Sequence, residues 1–377
     1  MQNLLFIIWN ADPELFSWNF IHLRWYGLLF ALGFAISQQI LFYIHKKEGK
    51  PLEDVETLTV FMVIATIIGA RLGHVFFYEP DKYLDNPMEI LRIWNGGLAS
   101  HGAAVGILIA LWLYSRYDIR LKGVKLKVNK VIRERQSYLE ILDRIVILVA
   151  LTAVLIRVGN FINSEIEGKP TFGENGVVFT RSVTETLTYN ADSPVSDVSF
   201  SKDTDRQLTK EGYVPIKIYI EFKHGYGLPF LNNYMASTVK EVLTNYSYVK
   251  KHIFETVDTK LDFKLLNEGT KNSAVVYTYG IARYPTQLYE STGYLMVFLV
   301  LLFVWFKYKA ALPKGRIFGL FLILLFGLRI LFEFVKENQV DFENNLTLNM
   351  GQLLSVPLVL AGVVILAKSF SSKMKVK

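Results

Sequence analysis

The sequence predicts an α-helical polytopic membrane protein with seven transmembrane helices and a mixed α/β insert between helices 4 and 5. Three observations support that fold class: seven apolar runs, basic and acidic loops that alternate between them, and one long polar stretch at 164–282. The composition agrees, because 51% hydrophobic residues are many for a soluble protein, whereas 20% charged residues require a sizeable polar part.

A helix needs about 20 predominantly apolar residues to cross the hydrocarbon core of a bilayer. Runs of about this length occur at 25–44, 58–78, 98–117, 141–162, 286–306, 317–335 and 350–367. An odd number of spans places the two termini on opposite sides of the membrane.

The loops decide the orientation. Lys and Arg are concentrated after the first, third, fifth and seventh runs, whereas the loops at 79–95 and 336–349 are richer in Asp and Glu. Since cytoplasmic loops carry the excess of basic residues, we expect an external N-terminus and a cytoplasmic C-terminus. The same loops explain the net charge of +7, so no nucleic-acid partner is expected.

The polar stretch at 164–282 is then an external insert between a membrane part at 1–163 (helices 1–4) and another at 283–377 (helices 5–7). Runs rich in β-branched and aromatic residues at 177–183, 213–222 and 274–279 predict strands, and 236–254 is typical of a helix. We interpret the insert as a small α/β domain with a solvated sheet; a ligand-binding face is the alternative.

Six of the spans carry unusual polar residues, and the predicted orientation places all of them at the outer end. They are Tyr26, Arg71, His101, Arg157, Asn160, Asn163, Gln287, Glu290, Arg329 and Glu333. Ionisable groups within membrane helices are costly and usually face a cavity. Snorkelling towards water accounts for Arg24 but poorly for Glu290 or Asn160, so we predict one polar cavity open to the outer side.

The spacing of these residues favours convergence on an anionic ligand. Arg329 and Glu333 are four residues apart, and Arg157 and Asn160 three apart, so each pair shares a helix face. Guanidinium groups bind phosphate through paired hydrogen bonds, which makes a phosphate-bearing lipid head group the natural ligand. His101 follows a glycine-rich run and is either a proton acceptor or an ordinary helix-end histidine.

The sequence contains no cysteine, which excludes disulfides, thiolate metal sites and a covalent cysteine intermediate on this chain. Neither a metal ion nor another cofactor is expected, because no metal-ligand spacing is present.

Seven short motifs are spread in order along the chain. They are RWYGL at 24–28, GARLG at 69–73, GGLASHG at 96–102, RVGNFINSEIEG at 157–168, PTQLYE at 285–290, RILFEF at 329–334 and MGQLLS at 350–355. This set resembles the bacterial prolipoprotein diacylglyceryl transferases. The chain departs from the family pattern at His74, Ala103, Ile156 and Tyr284, and its insert is longer.

The resemblance implies transfer of the diacylglyceryl group from phosphatidylglycerol to the lipobox cysteine thiol of a prolipoprotein, with release of glycerol 1-phosphate. It also implies an inner-membrane protein whose site faces the periplasm, and we expect a monomer. On this hypothesis Arg157 and Arg329 hold the phosphate, and either His101 or Glu290 accepts the thiol proton. The remaining substrate contacts are Tyr26, Arg71, Asn160, Asn163, Gly168, Gln287 and Glu333.

A transporter or binding protein for an anionic phospholipid head group is the alternative function. Such proteins commonly show inverted repeats and helices interrupted at the midplane. Neither feature is apparent in the sequence.

Overall fold

The computed structural model describes residues 5–18, 21–93, 96–122, 125–189, 192–268, 271–338, 343 and 346–371. The chain divides into two compact units. Unit 1 consists of Met1–Phe30, Leu155–Thr292 and Arg329–Gln352, and unit 2 of Ala31–Val154, Gly293–Leu328 and Leu353–Lys377.

Each of the seven predicted apolar runs forms a helix. The α-helices of the described chain are α1 Trp25–Glu48, α2 Glu53–Phe77, α3 Pro80–Asp85, α4 Ser100–Arg116, α5 Tyr138–Ile162, α6 Arg181–Thr188, α7 Leu228–Tyr234, α8 Lys240–Asn245, α9 Ser247–Lys250, α10 Thr286–Tyr308, α11 Arg316–Glu333 and α12 Met350–Ser371.

Five of these helices are long and apolar enough to cross a membrane: α1, α2, α5, α10 and α12. Helix α4 has only 17 residues, and the 18 residues of α11 include Arg316, Arg329 and Glu333. The seven-span count and the orientation therefore stay predictions.

Helices α2 and α4 of unit 2 pack at very short range through glycines spaced four residues apart. A Cβ atom on Gly73 would lie 2.7 Å from the Cα of Gly102, and one on Gly102 would overlap the carbonyl oxygen of Gly69. Small residues at this spacing let the backbones of membrane helices approach closely. The contact explains Gly69, Gly73 and Gly102 of the two motifs at 69–73 and 96–102.

We expect Gly102→Ala to destabilise the protein, because the added methyl group has no room between α2 and α4. Overpacking of this kind costs about 1–3 kcal/mol, so the thermal unfolding midpoint in detergent should fall by several degrees. Gly327→Ala in α11 is the matched control, since a Cβ atom there meets nothing within 4 Å. Equal midpoints for the two variants would contradict this packing.

Unit 2 also buries an ion-pair network around Glu48, which was not predicted from the sequence. The fully buried carboxylate of Glu48 accepts hydrogen bonds from the Arg144 Nη2 at 2.9 Å and the Trp305 Nε1 at 2.8 Å. The Lys50 Nζ lies 2.7 Å from the other oxygen of Glu48. These contacts join α1, α5 and α10 within the unit.

Most of the insert forms the core of unit 1. The strands of the insert are β6 Val177–Phe179, β7 Val195–Lys202, β8 Val214–Phe222, β9 Ile253–Phe254, β10 Phe263–Glu268 and β11 Lys271–Gly280. Five further strands lie outside the insert: β1 Ile7–Trp9, β2 Glu14–Trp18 and β3 Ile21–Arg24 before α1, and β4 Tyr117–Lys122 and β5 Lys125–Lys130 after α4. The order β10-β11-β8-β7 makes an antiparallel sheet, to which β9 adds at β11. Helices α7 to α9 bury Leu231, Leu243 and Val249 in the same hydrophobic core.

The structure corrects several boundaries inside the insert. The strand predicted at 177–183 ends at Phe179, where α6 begins two residues later. The helix predicted at 236–254 starts earlier, at Leu228, because Pro229 favours the first turn of a helix, and its last two residues instead pair with β11. Strands β7 and β10 were not predicted. The domain boundaries at 163 and 282, and the side of the membrane on which the insert lies, stay predictions.

Candidate active site

The site in unit 1 starts at the end of α5, where an arginine meets a fully buried carboxylate. The Arg157 Nε lies 3.0 Å from the Glu290 Oε2, and the side chain of Glu290 is 0% exposed. Arg157 also donates through Nη1 to the Asn160 Oδ1 at 3.4 Å. Helices α5 and α10 therefore present an oriented guanidinium group.

A lysine that the sequence analysis missed extends this pair into a chain of alternating charges. The Lys336 Nζ lies 3.7 Å from the Glu290 Oε1 and 3.2 Å from the Glu333 Oε1, and its side chain is only 3% exposed. The Arg329 Nε lies 3.7 Å from the same oxygen of Glu333. Lys336 lies beyond the end of α11 and is held by a β-bridge to Gly168, so helical spacing did not indicate it.

We call Arg157, Glu290, Lys336, Glu333 and Arg329 the charge cluster. It contains three cations and two carboxylates, so it carries one excess positive charge when all five groups are ionised. Arg329 is its most accessible member, with 36% of its side chain exposed. An anion approaching the cluster would therefore meet Arg329 first.

The loop after α5 turns sharply and is held by both asparagines of the motif. Asn160 and Asn163 each donate from Nδ2 to a carboxylate oxygen of Glu165 at 3.3 Å. Ser164 and Ile166 adopt positive φ angles of 54° and 58°, which few non-glycine residues do. The strained turn thus rests on Glu165, a residue of the motif at 157–168 to which the sequence alone assigns no role.

Helix α10 fixes the same loop from its first turn. Gln287 donates from Nε2 to the carbonyl oxygen of Glu165 at 2.7 Å, and the Gly168 amide donates to the carbonyl oxygen of Tyr284 at 3.1 Å. A Cβ atom on Gly168 would lie 2.5 Å from that same oxygen. The structure therefore gives Gln287 and Gly168 loop-positioning contacts, and their predicted contact with substrate stays a prediction.

Two further glycines of the motifs are explained by close contacts. The ring of Tyr26 packs on Gly159, where a Cβ atom would lie 3.0 Å from Cδ2. A Cβ atom on Gly351 would lie 2.5 Å from the Glu333 Oε1, and Asn349 donates from Nδ2 to the other oxygen of Glu333 at 2.9 Å. The start of α12 therefore orients Glu333.

Several buried polar atoms around the cluster have no hydrogen-bond partner within the described residues: the Asn163 Oδ1, the Gln287 Oε1 and the Arg329 Nε. Buried polar groups are nearly always paired with protein, water or ligand. Two acceptors and one donor beside the charge cluster are thus left to be paired by water or by a ligand.

Unit 2 contains the remaining two predicted site residues. The buried guanidinium of Arg71 donates to five carbonyl oxygens, and its CZ atom lies 5.0 Å from the centre of the Tyr83 ring. The acceptors are Glu89, Ile90, Arg92, Gly96 and Gly97. All five of its N–H groups are thereby used to hold the loop before α4.

His101 lies in the first turn of α4, where its ring is exposed. It stacks on Tyr78 at 5.8 Å between centroids and meets the edge of Phe77 at 5.3 Å. Within the described residues no hydrogen bond occupies its ring nitrogens. The role of His101 as proton acceptor and its meeting with the charge cluster stay predictions.

A second buried group connects the insert to the loop after α5. The His252 Nδ1 lies 3.5 Å and the Arg283 Nε 3.6 Å from the Glu167 Oε2, and Arg283 donates through Nη1 to the Glu337 Oε2 at 2.6 Å. Burial outweighs the nearby Arg283 and raises the pKa of Glu167 to about 8. Burial, aided by Arg283 and Lys251, lowers the pKa of His252 to about 3.

These pKa shifts should make unit 1 less stable at alkaline pH. Folding favours the neutral form of Glu167, so the stability that this group contributes declines as pH rises from about 4.5 to about 8. Folding also favours the neutral form of His252, so its contribution to stability declines as pH falls from about 6.5 to about 3. Between pH 6.5 and 8 we expect a loss of up to about 2 kcal/mol. In Glu167→Gln the thermal unfolding midpoint should change little with pH over this range, whereas in the exposed control Glu185→Gln it should fall as in the wild type. A slope unchanged in Glu167→Gln would refute the assignment.

Lys336→Met tests the charge cluster itself. It leaves two buried carboxylates short of a cation, which should destabilise the protein by about 3–5 kcal/mol. Lys336→Arg should keep most of the stability because it keeps the charge, and thermal unfolding measures the difference. If Met and Arg at this position gave equal stability, the ion pairs of Lys336 would contribute nothing.

The helices and the charge cluster together define a helical membrane protein with a cationic polar site. A sequence model of the prolipoprotein diacylglyceryl transferase family matches residues 13–368. The phosphatidylglycerol-prolipoprotein diacylglyceryl transferase of Tolumonas auensis is 31% identical over 97% of this chain and 99% of its own. That of Porphyromonas gingivalis is 34% identical over 95% of this chain and 93% of its own. The chain belongs to the prolipoprotein diacylglyceryl transferase family, and it is a transferase of lipoprotein biosynthesis.

Proposed function

We propose that this chain transfers the diacylglyceryl group of phosphatidylglycerol to the lipobox cysteine thiol of prolipoproteins. The relatives carry both substrates in their names. The observation that carries the proposal is the charge cluster, whose excess positive charge lies at the ends of α5 and α10, two helices apolar enough to cross a membrane, and of α11. A phospholipid phosphate is the anion that such surroundings supply.

The reaction forms one carbon–sulfur bond and breaks one carbon–oxygen bond. The thiol sulfur attacks the glyceryl carbon that bears the phosphate ester, and the electron pair of the broken bond leaves on the phosphate oxygen of glycerol 1-phosphate. The thiol proton passes to a base and then to the leaving phosphate. A free thiol has a pKa of about 8.5, so a base raises the thiolate fraction at neutral pH.

Arg329 and Arg157 hold the phosphate and stabilise the charge that develops on it as it leaves. Glu290 orients Arg157 and Lys336 instead of serving as the base, because protonating it would remove the carboxylate that lies 3.0 Å from Arg157 and weaken the pairing of the buried Lys336. His101 is the base, since its ring nitrogens are free of hydrogen bonds to described residues. Tyr26, Asn160, Asn163 and Glu333 complete the walls, and Arg71 positions the loop before α4.

The chain lies in the bacterial inner membrane with seven spans, an external N-terminus and a cytoplasmic C-terminus. Helices α4 and α11 are the two spans in addition to α1, α2, α5, α10 and α12. The insert and the charge cluster face the periplasm. The basic loops after the first, third, fifth and seventh spans support this orientation. The protein acts as a monomer.

Incubation of the purified protein with phosphatidylglycerol and a lipobox peptide tests the function. We expect mass spectrometry to detect peptide that has gained one diacylglyceryl group, and glycerol phosphate in equal amount. A peptide with serine in place of the cysteine is the control and should remain unmodified. Binding of phosphatidylglycerol without product would instead favour a head-group transporter or binding protein.

A further inference from the structure

Short backbone pairings in unit 1 hold the segment that carries Lys336. Residues 335–337, which follow α11, pair with the loop after α5. Gly168 and Lys336 form an antiparallel bridge, and the Glu337 amide donates to the carbonyl oxygen of Glu167 at 3.2 Å. The loop after α5 therefore fixes the backbone of a residue of the charge cluster.

The same loop pairs with residues 282–284, which precede α10. Pro170 and Arg283 form a second antiparallel bridge. Arg283 also exchanges two backbone hydrogen bonds of 2.9 Å with Val177, the first residue of β6. The backbone of Arg283 therefore lies between the loop after α5 and a strand of the insert.

The side chain of Arg283 connects three segments at once. Its guanidinium group is only 4% exposed, and it donates to the carbonyl oxygen of Lys251 from Nε at 3.0 Å and from Nη2 at 2.7 Å. From Nη1 it donates to the carbonyl oxygen of Gly168 at 3.0 Å and to the Glu337 Oε2 at 2.6 Å. One planar fork thus contacts the insert, the loop after α5 and the segment after α11.

The contact with Glu337 connects Arg283 to the charge cluster. Neighbouring residues of an extended segment direct their side chains to opposite faces. Glu337 contacts Arg283 on one side, whereas Lys336 contacts the two carboxylates of the charge cluster on the other. One of these carboxylates is that of Glu290, whose second oxygen faces Arg157. A displacement of Glu337 therefore moves Lys336 relative to the groups that orient Arg157.

We propose that Arg283 is a positioning residue for diacylglyceryl transfer, which fixes residues 335–337 against the loop after α5 and thereby holds the charge cluster in the arrangement that binds phosphate. It acts through Glu337 and Gly168 and takes no part in making or breaking bonds. This role rests on the proposed function, because it requires that the charge cluster binds the phosphate of phosphatidylglycerol.

Arg283→Met tests the role, because it keeps an unbranched side chain and removes the fork. Initial rates are measured in mixed micelles while phosphatidylglycerol and a lipobox peptide are varied separately. A misplacement of about 1 Å can cost on the order of 10²-fold, so we expect kcat/KM for phosphatidylglycerol to fall by about 10–10²-fold. Most of this loss should come from a higher KM for phosphatidylglycerol, whereas the KM for the peptide should not change.

The two KM values distinguish positioning from a merely structural role. A structural role would lower the amount of active enzyme, and thus the apparent kcat, without changing the KM for either substrate. That result, or wild-type kinetics in Arg283→Met, would overturn the proposal.

Two variants serve as comparisons. Arg283→Lys keeps a positive charge beside Glu337 but cannot contact three segments, so its KM for phosphatidylglycerol should lie between those of the wild type and Arg283→Met. Arg206→Met is the matched control, since Arg206 also pairs with two carboxylates of unit 1, those of Asp203 and Asp262, but outside these segments. It should show wild-type kinetics.

Glu337→Gln keeps the proposal testable if Arg283→Met does not fold. The side chain of Glu337 is 38% exposed, so this variant loses the ion pair with Arg283 without opening a cavity. We expect a smaller rise in the KM for phosphatidylglycerol. An unchanged KM in both Glu337→Gln and Arg283→Lys would overturn the proposal.

The wild-type enzyme separates this role from the proposed function. Absence of transfer by the wild type would count against the proposed function itself. The positioning role is then measured as the affinity for a short-chain phosphatidylglycerol in detergent, by isothermal titration calorimetry. The affinity should fall in Arg283→Met and stay at the wild-type value in Arg206→Met, and equal affinities of the two variants would overturn the proposal.

Discussion

The Arg329→Ala variant is expected to lose diacylglyceryl transfer by at least about 10²–10³-fold, the loss typical when a group that stabilises transition-state charge is removed. Arg329 is the most accessible cation of the charge cluster, and its Nε has no hydrogen-bond partner within the described residues. Its ion pair with Glu333, at 3.7 Å, is long. The variant should therefore remain folded while its activity disappears.

Arg157→Ala should lose as much activity and also stability, because it removes the cation that lies 3.0 Å from the fully buried carboxylate of Glu290. Initial rates with a lipobox peptide and thermal unfolding measured on the same samples separate the two effects. Arg181→Ala is the matched control for Arg329→Ala, since Arg181, like Arg329, pairs with a glutamate four residues later but lies outside the charge cluster. Near wild-type transfer by Arg329→Ala would remove the arginine from the phosphate site.

The second large effect is expected for His101→Gln, which keeps a polar side chain but cannot accept the thiol proton. General-base catalysis contributes about 10²–10⁴-fold, and the rate should fall by that factor. The remaining rate should rise with pH as the free thiolate becomes more abundant. The experiment records transfer rates from pH 5.5 to pH 9, a range chosen about the usual pKa values of histidine and cysteine.

His74→Gln is the control for this variant. His74 stacks on the same Tyr78, at 5.3 Å, and pairs with Glu79 at 3.5 Å, so its replacement disturbs the same aromatic group without touching the proposed base. We expect it to retain the wild-type rate and pH profile. A His101→Gln enzyme that keeps both would show that another group accepts the proton.

The sequence predicted the helices well because apolar length is a strong signal. It also predicted that Arg157, Glu290, Arg329 and Glu333 converge, since one depth in the membrane and one helix face left them little alternative. Lys336 was missed because it follows the end of an apolar run, where a lysine is usually solvated. Its burial depends on Glu290, which is distant in sequence.

Loop geometry explains the other omissions. Arg71 donates to five loop carbonyls, an arrangement that arises only when residues 89–92 and 96–97 fold back on α2, and its predicted contact with substrate stays a prediction. Similarly, the contacts of Glu167 with His252 and Arg283 join segments more than eighty residues apart. No local pattern encodes such contacts, whereas period and length encode helices.

The most direct measurement of the central claim is cryo-electron microscopy of the full chain in nanodiscs containing phosphatidylglycerol. We expect density for one lipid whose phosphate lies within hydrogen-bonding distance of the guanidinium groups of both Arg157 and Arg329. A phosphatidylglycerol head group bound elsewhere, with no phosphate at either arginine, would contradict the charge cluster as the phosphate site.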